Sequence, residues 1–405
     1  MSLSRLAELG LWLGSGSLLF LSLWIVVPAP TFSLLPLSIG VPELSPGLWL
    51  LSWVVLGLAM VGILSGLTAG PLLVGLLALG LFSVPLLQLP TTVRQVERTL
   101  QPWPIAAPQI QPPVSRRKKP IYGWEVLTGI PLPPIREPQD KVFAQPDGIP
   151  LKLRIYMPPD QPLAQGTYPG VLVIYGGAWQ RGSPAQDAEF NRLLAAQGYT
   201  VIALDYRHAP HYRFPTQLED VQAGVRFVQE HAQELGVDPQ RLAVMGRSAG
   251  GQLALLLAYH DPDQGSQLAP FRAVIDFYGP VDLTLGYEDP PRPDPINTRA
   301  VLEAFLGGSP ATMPERYRQA SPIEWVRPHL PPTLLIYGGR DHVVQPKYGQ
   351  LLAERLQQMG NEALLIRIPW ADHAFDAVPQ GLSSQMALYA TERFLAATLK
   401  ASEPS

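Results

Sequence analysis

The 405-residue chain has no cysteine, which excludes disulfides and thiolate metal sites. It also lacks a net excess of either charge. A formal net charge of −3 gives no general attraction to nucleic acid or to anionic membrane surfaces. A more informative scarcity is local: between Leu9 and Val93 the one charged side chain is Glu43. That run is too long and too apolar for the buried helix of a soluble domain. A bilayer-crossing helix needs about 20 apolar residues, since each rises about 1.5 Å and the hydrocarbon core is about 30 Å thick. Segments 6–27, 47–67 and 71–89 meet that length. "TAG" links the last two as a tight helical hairpin. "PAPTFSLLPLSIGVPELSP" links the first two, and its prolines predict an interfacial or re-entrant loop rather than helix. A cleaved signal peptide fits poorly: Arg5 is the one basic residue before the first run, and cleavage leaves the other two runs unexplained. Residues 1–89 are therefore expected to form a transmembrane anchor of three helices.

Arg94, Arg98, Arg116, Arg117, Lys118 and Lys119 follow the last span, and the loop at 28–46 has no Lys or Arg. The positive-inside rule then puts the C-terminal region in the cytoplasm and the N-terminus outside, with Arg5 arguing weakly the other way. Residues 90–138 are proline-rich and read as an extended, semi-rigid linker that holds a soluble domain away from the bilayer. "SRRKK" within it reads as a solvated run.

From about Lys141 the pattern becomes regular. "LKLRIYM" alternates as a half-exposed strand. "GVLVIY", "TVIALDY", "RLAVMG", "AVIDFY", "TLLIYG" and "ALLIRI" read as buried strands. Helical stretches fall between them at 186–197, 216–235, 249–260, 347–359 and 382–399. Alternation of this kind predicts an α/β domain over 139–400, with a mostly parallel sheet covered by helices on both faces. Residues 283–325 interrupt the rhythm and are expected to form a lid or pocket wall.

In such sheets the chemistry gathers at the carboxyl ends of the strands. After "RLAVM" comes Gly246-Arg247-Ser248-Ala249-Gly250, a Gly-x-Ser-x-Gly turn that exposes a serine hydroxyl above the sheet. After "GVLVI" comes "YGGAWQRG", whose glycines can aim backbone N–H groups at an oxyanion. Asp341 follows "TLLIYG", and His373 follows "ALLIRI" within "WADHAF". The order Ser248, Asp341, His373 is that of α/β-hydrolase triads. Asp282, after "AVIDFYGPV", is a rival for the acid. Asp372 is adjacent to His373 but reads as a loop-shaping acid, because a neighbour's side chain points away from the ring. His208 and His211 have no acid in a metal-binding pattern, and His342 is expected to face outward. No metal site or cofactor is expected.

Over residues 140–398 the sequence resembles the hormone-sensitive-lipase-like and acetyl/feruloyl esterases of the α/β-hydrolase fold. The likeness rests on "YGGAW", "LDYRHAP", "FPTQLEDV", "VDPQRLAVMGRSAGGQLA", "SPIEWV", "LPPTLLIYGGRDHVV" and "DHAF". The central part also looks like the isoprenylcysteine methylesterases. The resemblance implies that Ser248 is the nucleophile, His373 the general base and then acid, and Asp341 the residue that orients the imidazole. It implies an oxyanion hole from the N–H groups of Gly177, Ala178 and Ala249, with Gly176 shaping the loop. Two positions depart from the family pattern: Tyr175 stands where a His is usual, and Ala178 where a third Gly is common. The loss of that His questions the support of the loop. Asp205 and Arg207 are expected to brace it.

The expectation is a membrane-anchored serine esterase acting on a small-molecule or lipid-like ester, with no nucleic-acid partner. Alternatives are a prolyl-oligopeptidase-like peptidase, or a non-catalytic hydrolase-fold receptor or scaffold.

Overall fold

The computed structural model describes residues 3–103, 115–159, 167–259 and 271–399. Three of its helices are long and apolar enough to cross a membrane: α1 (Leu3–Leu23), α3 (Ser45–Leu64) and α4 (Gly70–Leu100). Helix α3 packs antiparallel to α1 and α4, which run parallel to each other, through small residues. Gly62 of α3 faces Leu11 of α1, Gly75 of α4 faces Leu56 and Ser15, and Trp49 Nε1 donates to Ser83 Oγ at 3.0 Å. The segment between α1 and α3 thus lies at the same end of the bundle as the C-terminal end of α4. Its lack of Lys and Arg therefore cannot mark the face opposite the C-terminal domain. This corrects one leg of the orientation reading.

Two further sequence expectations change here. The proline-rich segment after α1 is helical: a short 3-10 turn precedes α2 (Leu35–Glu43). Pro36 lies in its first turn, where a missing N–H costs no intrahelical bond, and Pro42 lies in its last. Helix α4 also runs through Pro85 and Pro90 to Leu100. Its 31 residues rise about 46 Å at about 1.5 Å each, beyond the hydrocarbon thickness. Packing outweighs the broken hydrogen bonds, because Val96 and Leu100 are buried in the core of the C-terminal domain.

The expected spacer is a strap. Residues 104–114 of it lie outside the described residues. Beyond them Arg117 N donates to Glu392 Oε2 at 2.8 Å, its guanidinium reaches Glu125 at 2.7 Å and Gln385 at 2.8 Å, and Tyr122 N donates to Gln385 at 2.8 Å. A short helix, α5 (Gly123–Thr128), buries Val126 in the same core. Of the basic run, Lys118 and Lys119 are solvated, whereas Arg117 is held.

The C-terminal domain is built on β1 (Gln139–Ala144), β2 (Leu151–Tyr156), β3 (Tyr168–Ile174), β4 (Thr200–Leu204), β5 (Val237–Arg247), β6 (Ala273–Phe277), β7 (Thr333–Gly338) and β8 (Ala363–Ile368). Among the described residues they form one sheet in the order β1-β2-β4-β3-β5-β6-β7-β8. β1 and β2 pair antiparallel, as do β2 and β4; the remaining pairs are parallel. Strands β4, β6 and β7 are buried at every position, as expected of strands covered on both faces. Edge strand β1 has no comparable apolar run, and sequence reading passed over it.

The covering helices are α6 (Ala188–Ala196), α7 (Thr216–Glu230), α8 (Ala249–Tyr259), α12 (Lys347–Gln358) and α13 (Leu382–Thr398). The 283–325 segment folds into α9 (Leu283–Glu288), α10 (Thr298–Leu306) and α11 (Pro314–Gln319), ending in a 3-10 turn.

Candidate active site

Ser248 stands between β5 and α8 with a φ of +51°. A non-glycine residue holds this left-handed conformation only under constraint from its surroundings. The flanking glycines supply the space. A Cβ on Gly246 would lie 2.0 Å from Gly250 O, and one on Gly250 would lie 2.2 Å from Ile174 O. The turn therefore folds tightly against the end of β3, and Ser248 N donates to Phe277 O at 2.9 Å.

His373 brings the other two predicted residues together. Its Nε2 lies 3.0 Å from Ser248 Oγ, and its Nδ1 lies 2.8 Å from Asp341 Oδ2. The second carboxylate oxygen of Asp341 accepts from the N–H groups of Val343 and Val344 at 2.8 and 2.7 Å, which fixes the plane of the acid. With the imidazole proton on Nδ1 and donated to Asp341, Nε2 is left as the acceptor for the serine hydroxyl. Burial disfavours the charged ring, but the Asp341 carboxylate and its hydrogen bond, with the charges of Asp372 and Asp376, outweigh it. His373 is held above the usual histidine range.

Asp372 does not reach the ring. Its Oδ1 accepts from the backbone N–H of His373 at 2.8 Å and of His342 at 3.1 Å. His342 is half-buried rather than outward-facing, with Nδ1 3.6 Å from the Asp372 carboxylate. Asp282 caps α9, accepting from Leu285 N at 2.9 Å.

Gly176, Gly177, Ala178 and Ala249 line the same cavity as Ser248. Ala249 is the first residue of α8, so its N–H has no intrahelical partner. Gly177 and Ala178 have φ of +138° and +55°, and a Cβ on Gly177 would collide with Arg181 O at 2.0 Å. Glycine is thus required at 177.

Tyr175, the departure from the family pattern, supports this loop. Its hydroxyl donates to Asp205 Oδ1 at 2.8 Å and lies 2.9 Å from His208 Nε2, and its ring stacks on Tyr206 at 4.5 Å. Asp205 braces the loop through this hydroxyl. Arg207 does not: it pairs with Asp220 of α7 and with Asp147, each at 2.7 Å.

Sequence reading missed a cluster beside His373 that lines the same cavity: Asp187, Arg247, Tyr278 and Asp376. Arg247 binds Asp376 through Nε, lies 3.5 Å from Asp187, and is sandwiched between Phe190 and Phe277. Tyr278 donates to Asp376 and packs its ring edge-on against His373 at 4.7 Å. Burial works against the Arg247 charge, but Asp187 and Asp376 keep it protonated. An Arg in the x position of Gly-x-Ser-x-Gly was the available signal, but its partners lie in two distant loops. Among the described residues, no cluster of His, Asp and Glu has the makings of a metal site.

The cavity above Ser248 measures about 360 Å³ and is lined mainly by apolar side chains. Residues 153–356, just over half the chain, match the BD-FAE family. Esterase LipC of Mycobacterium tuberculosis is 34% identical over 218 residues, 51% of this chain and 53% of LipC. Esterase LipQ of the same organism is 28% identical, with 65% of each chain covered. The chain thus spans little more than half to about two thirds of these relatives' length. Among solved structures, the propionate-bound thermophilic esterase Est2 of Thermogutta terrifontis superposes with a TM-score of 0.53 at 28% identity, covering 64% of this chain and 93% of Est2. The sheet and its helices are those of an α/β-hydrolase.

Proposed function

Because the chain belongs to the BD-FAE family of α/β-hydrolases, we propose that it is a carboxylic ester hydrolase, held in a membrane by α1, α3 and α4. The observation that carries this reading is the continuous hydrogen-bonded line from Ser248 through His373 to Asp341. Ser248 Oγ attacks the ester carbonyl carbon while His373 Nε2 takes its proton. The carbonyl oxygen, now an oxyanion, accepts N–H donors from Gly177, Ala178 and Ala249. The C–O bond of the alcohol breaks, and the alcohol leaves with the proton from His373. Water then attacks the acyl-serine, giving its proton to His373, and Ser248 is released with the acid product. Asp341 stays ionised throughout and holds the ring in the tautomer that presents Nε2.

Ser248→Ala tests the assignment. Hydrolysis of a short-chain ester by the purified full chain is expected to fall about 10³-fold or more. Retention of activity would sink the triad assignment.

Arg94 and Arg98 near the C-terminal end of α4, against Arg5 alone near the start of α1, favour a catalytic domain on the cytoplasmic face in this proposal. Protease added to intact cells is expected to leave the domain uncut, and to cut it once the membrane is opened. Cutting from outside reverses the orientation.

A further inference from the structure

We propose that the anchor itself builds part of the substrate site: α2 and the turn before it form the wall against which an ester's long apolar chain lies, and the substrate is a lipid ester resident in the bilayer. This rests on the esterase reading above.

The cavity over Ser248 has two sides. One comes from the catalytic domain and mixes apolar side chains such as Ile296, Leu302 and Val343 with the charged Arg181, Asp187, Arg247, Asp282 and Asp376. The other is Phe32, Leu35, Pro36 and Ile39, all from the segment between α1 and α3. From Trp24 to Pro42 that segment carries no charged residue. A wall of this composition offers hydrocarbon contact alone, so the methylene chain of an ester lies on this side, away from the charged groups opposite.

The wall is fixed in place by contacts to the loops that carry the catalytic groups. Arg340, next to Asp341, donates to the carbonyls of Trp24 and Ile25, where α1 has run out of intrahelical donors. Arg181 of the oxyanion loop lies 4.3 Å from the centre of the Phe32 ring. At the far end of α2, Glu43 accepts from Ser383 N at 2.7 Å, in the first turn of α13. Glu43 therefore faces the domain and leaves the cavity uncharged on this side.

The source of the chain follows from position. Val26, Val27, Phe32 and Leu44 are exposed between the ends of α1 and α3. Val26 and Val27 lie just past α1, Leu44 just before α3, and Phe32 lines the cavity itself; in this proposal they are the apolar rim between spans and cavity. A chain moving from bilayer to Ser248 along this rim stays in contact with apolar surface.

The test uses the full chain in lipid nanodiscs with p-nitrophenyl acetate and p-nitrophenyl decanoate. For Leu35→Ser and Ile39→Ser, the decanoate-to-acetate ratio of kcat/KM is expected to fall about tenfold or more. A ratio unchanged within about twofold overturns the proposal, whether both rates hold or fall together. Labelling of Ser248 by a small fluorophosphonate shows that each variant keeps its site. If Leu35→Ser does not label, Phe32→Ser, altering a half-exposed side chain, carries the same comparison. Failure of the esterase reading itself shows separately, as a native chain that hydrolyses neither ester, and failure of the triad assignment as activity surviving Ser248→Ala. A second arm places a fluorogenic diacyl lipid ester either in the enzyme's own discs or in separate vesicles. Hydrolysis about tenfold faster in the shared disc is expected; equal rates mean entry through water and overturn the bilayer source.

Discussion

The acid of the proposed catalytic line is chosen by direction rather than by proximity in sequence. Asp372 is adjacent to His373, yet its carboxylate turns back to two backbone N–H groups. Asp341, 32 positions away, meets Nδ1. Asp341→Asn is therefore expected to lower kcat about 10³–10⁴-fold, since an amide donor facing Nδ1 favours the wrong tautomer. The same charge governs pH dependence. His373 must be neutral to accept the serine proton, and the Asp341 carboxylate, against the effect of burial, holds it above the usual histidine value of 6.5. Activity is thus lost as pH falls through that raised value. The acid limb of kcat/KM should lie above pH 6.5 in the native chain and move to lower pH in the residual activity of Asp341→Asn. A limb that does not move would separate the two residues electrostatically.

At the scale of the element, the strand–turn–helix unit of β5, Ser248 and α8 is set by backbone approach. Gly250 sits where a methyl group would lie 2.2 Å from the Ile174 carbonyl and 2.4 Å from that of Tyr175. Gly250→Ala must push β3 away from α8, so it is expected to cost about 3 kcal/mol or more in stability and most of the activity. Equilibrium unfolding in denaturant measures the first and ester hydrolysis the second; near-native values in both would contradict the close approach. The elbow and the oxyanion loop share this contact, because Ile174 and Tyr175 lead directly into Gly176 and Gly177. One small substitution thus displaces nucleophile and oxyanion donors together.

At the scale of the molecule, the N-terminal helices and the α/β domain form one packed body. Helix α4 enters the domain core through Val96 and Leu100, the 115–128 strap ties to α13, and Glu43 docks at the N-terminus of α13. Burial is the main cause of the Glu43 carboxyl being pushed up to about 8, against the opposing hydrogen bond from Ser383. An unfolded Glu ionises near 4.5, so between that value and about 8 folding must take up a proton. Native stability contributed at this site therefore declines as pH rises across that window. Glu43→Gln keeps an acceptor for Ser383 N and has no proton to take up. Its melting temperature relative to native is expected to be higher at pH 8 than at pH 5; an equal difference at both would show that Glu43 stays ionised in the fold.

Several features were legible in the linear order of residues. The strands β2 to β8 announce themselves as apolar, β-branched runs, and the residues just beyond them, Ser248, Asp341 and His373, meet because strand ends converge on one edge. Gly246 and Gly250 mark the turn at Ser248 because backbone approaches that close admit no side chain. The scarcity of charge before Val93 identifies three span-length helices because composition and length are local properties. What needed the tertiary structure was every pairing between distant segments. Tyr175 replaces the expected His through Asp205 and His208, Arg247 finds Asp187 and Asp376, and α4 passes two prolines because the domain core takes up its end. Whether the segment between α1 and α3 is a loose loop or a wall of the cavity depends on what it packs against. A side chain's partners lie across the fold, and sequence alone states only what each residue can offer them.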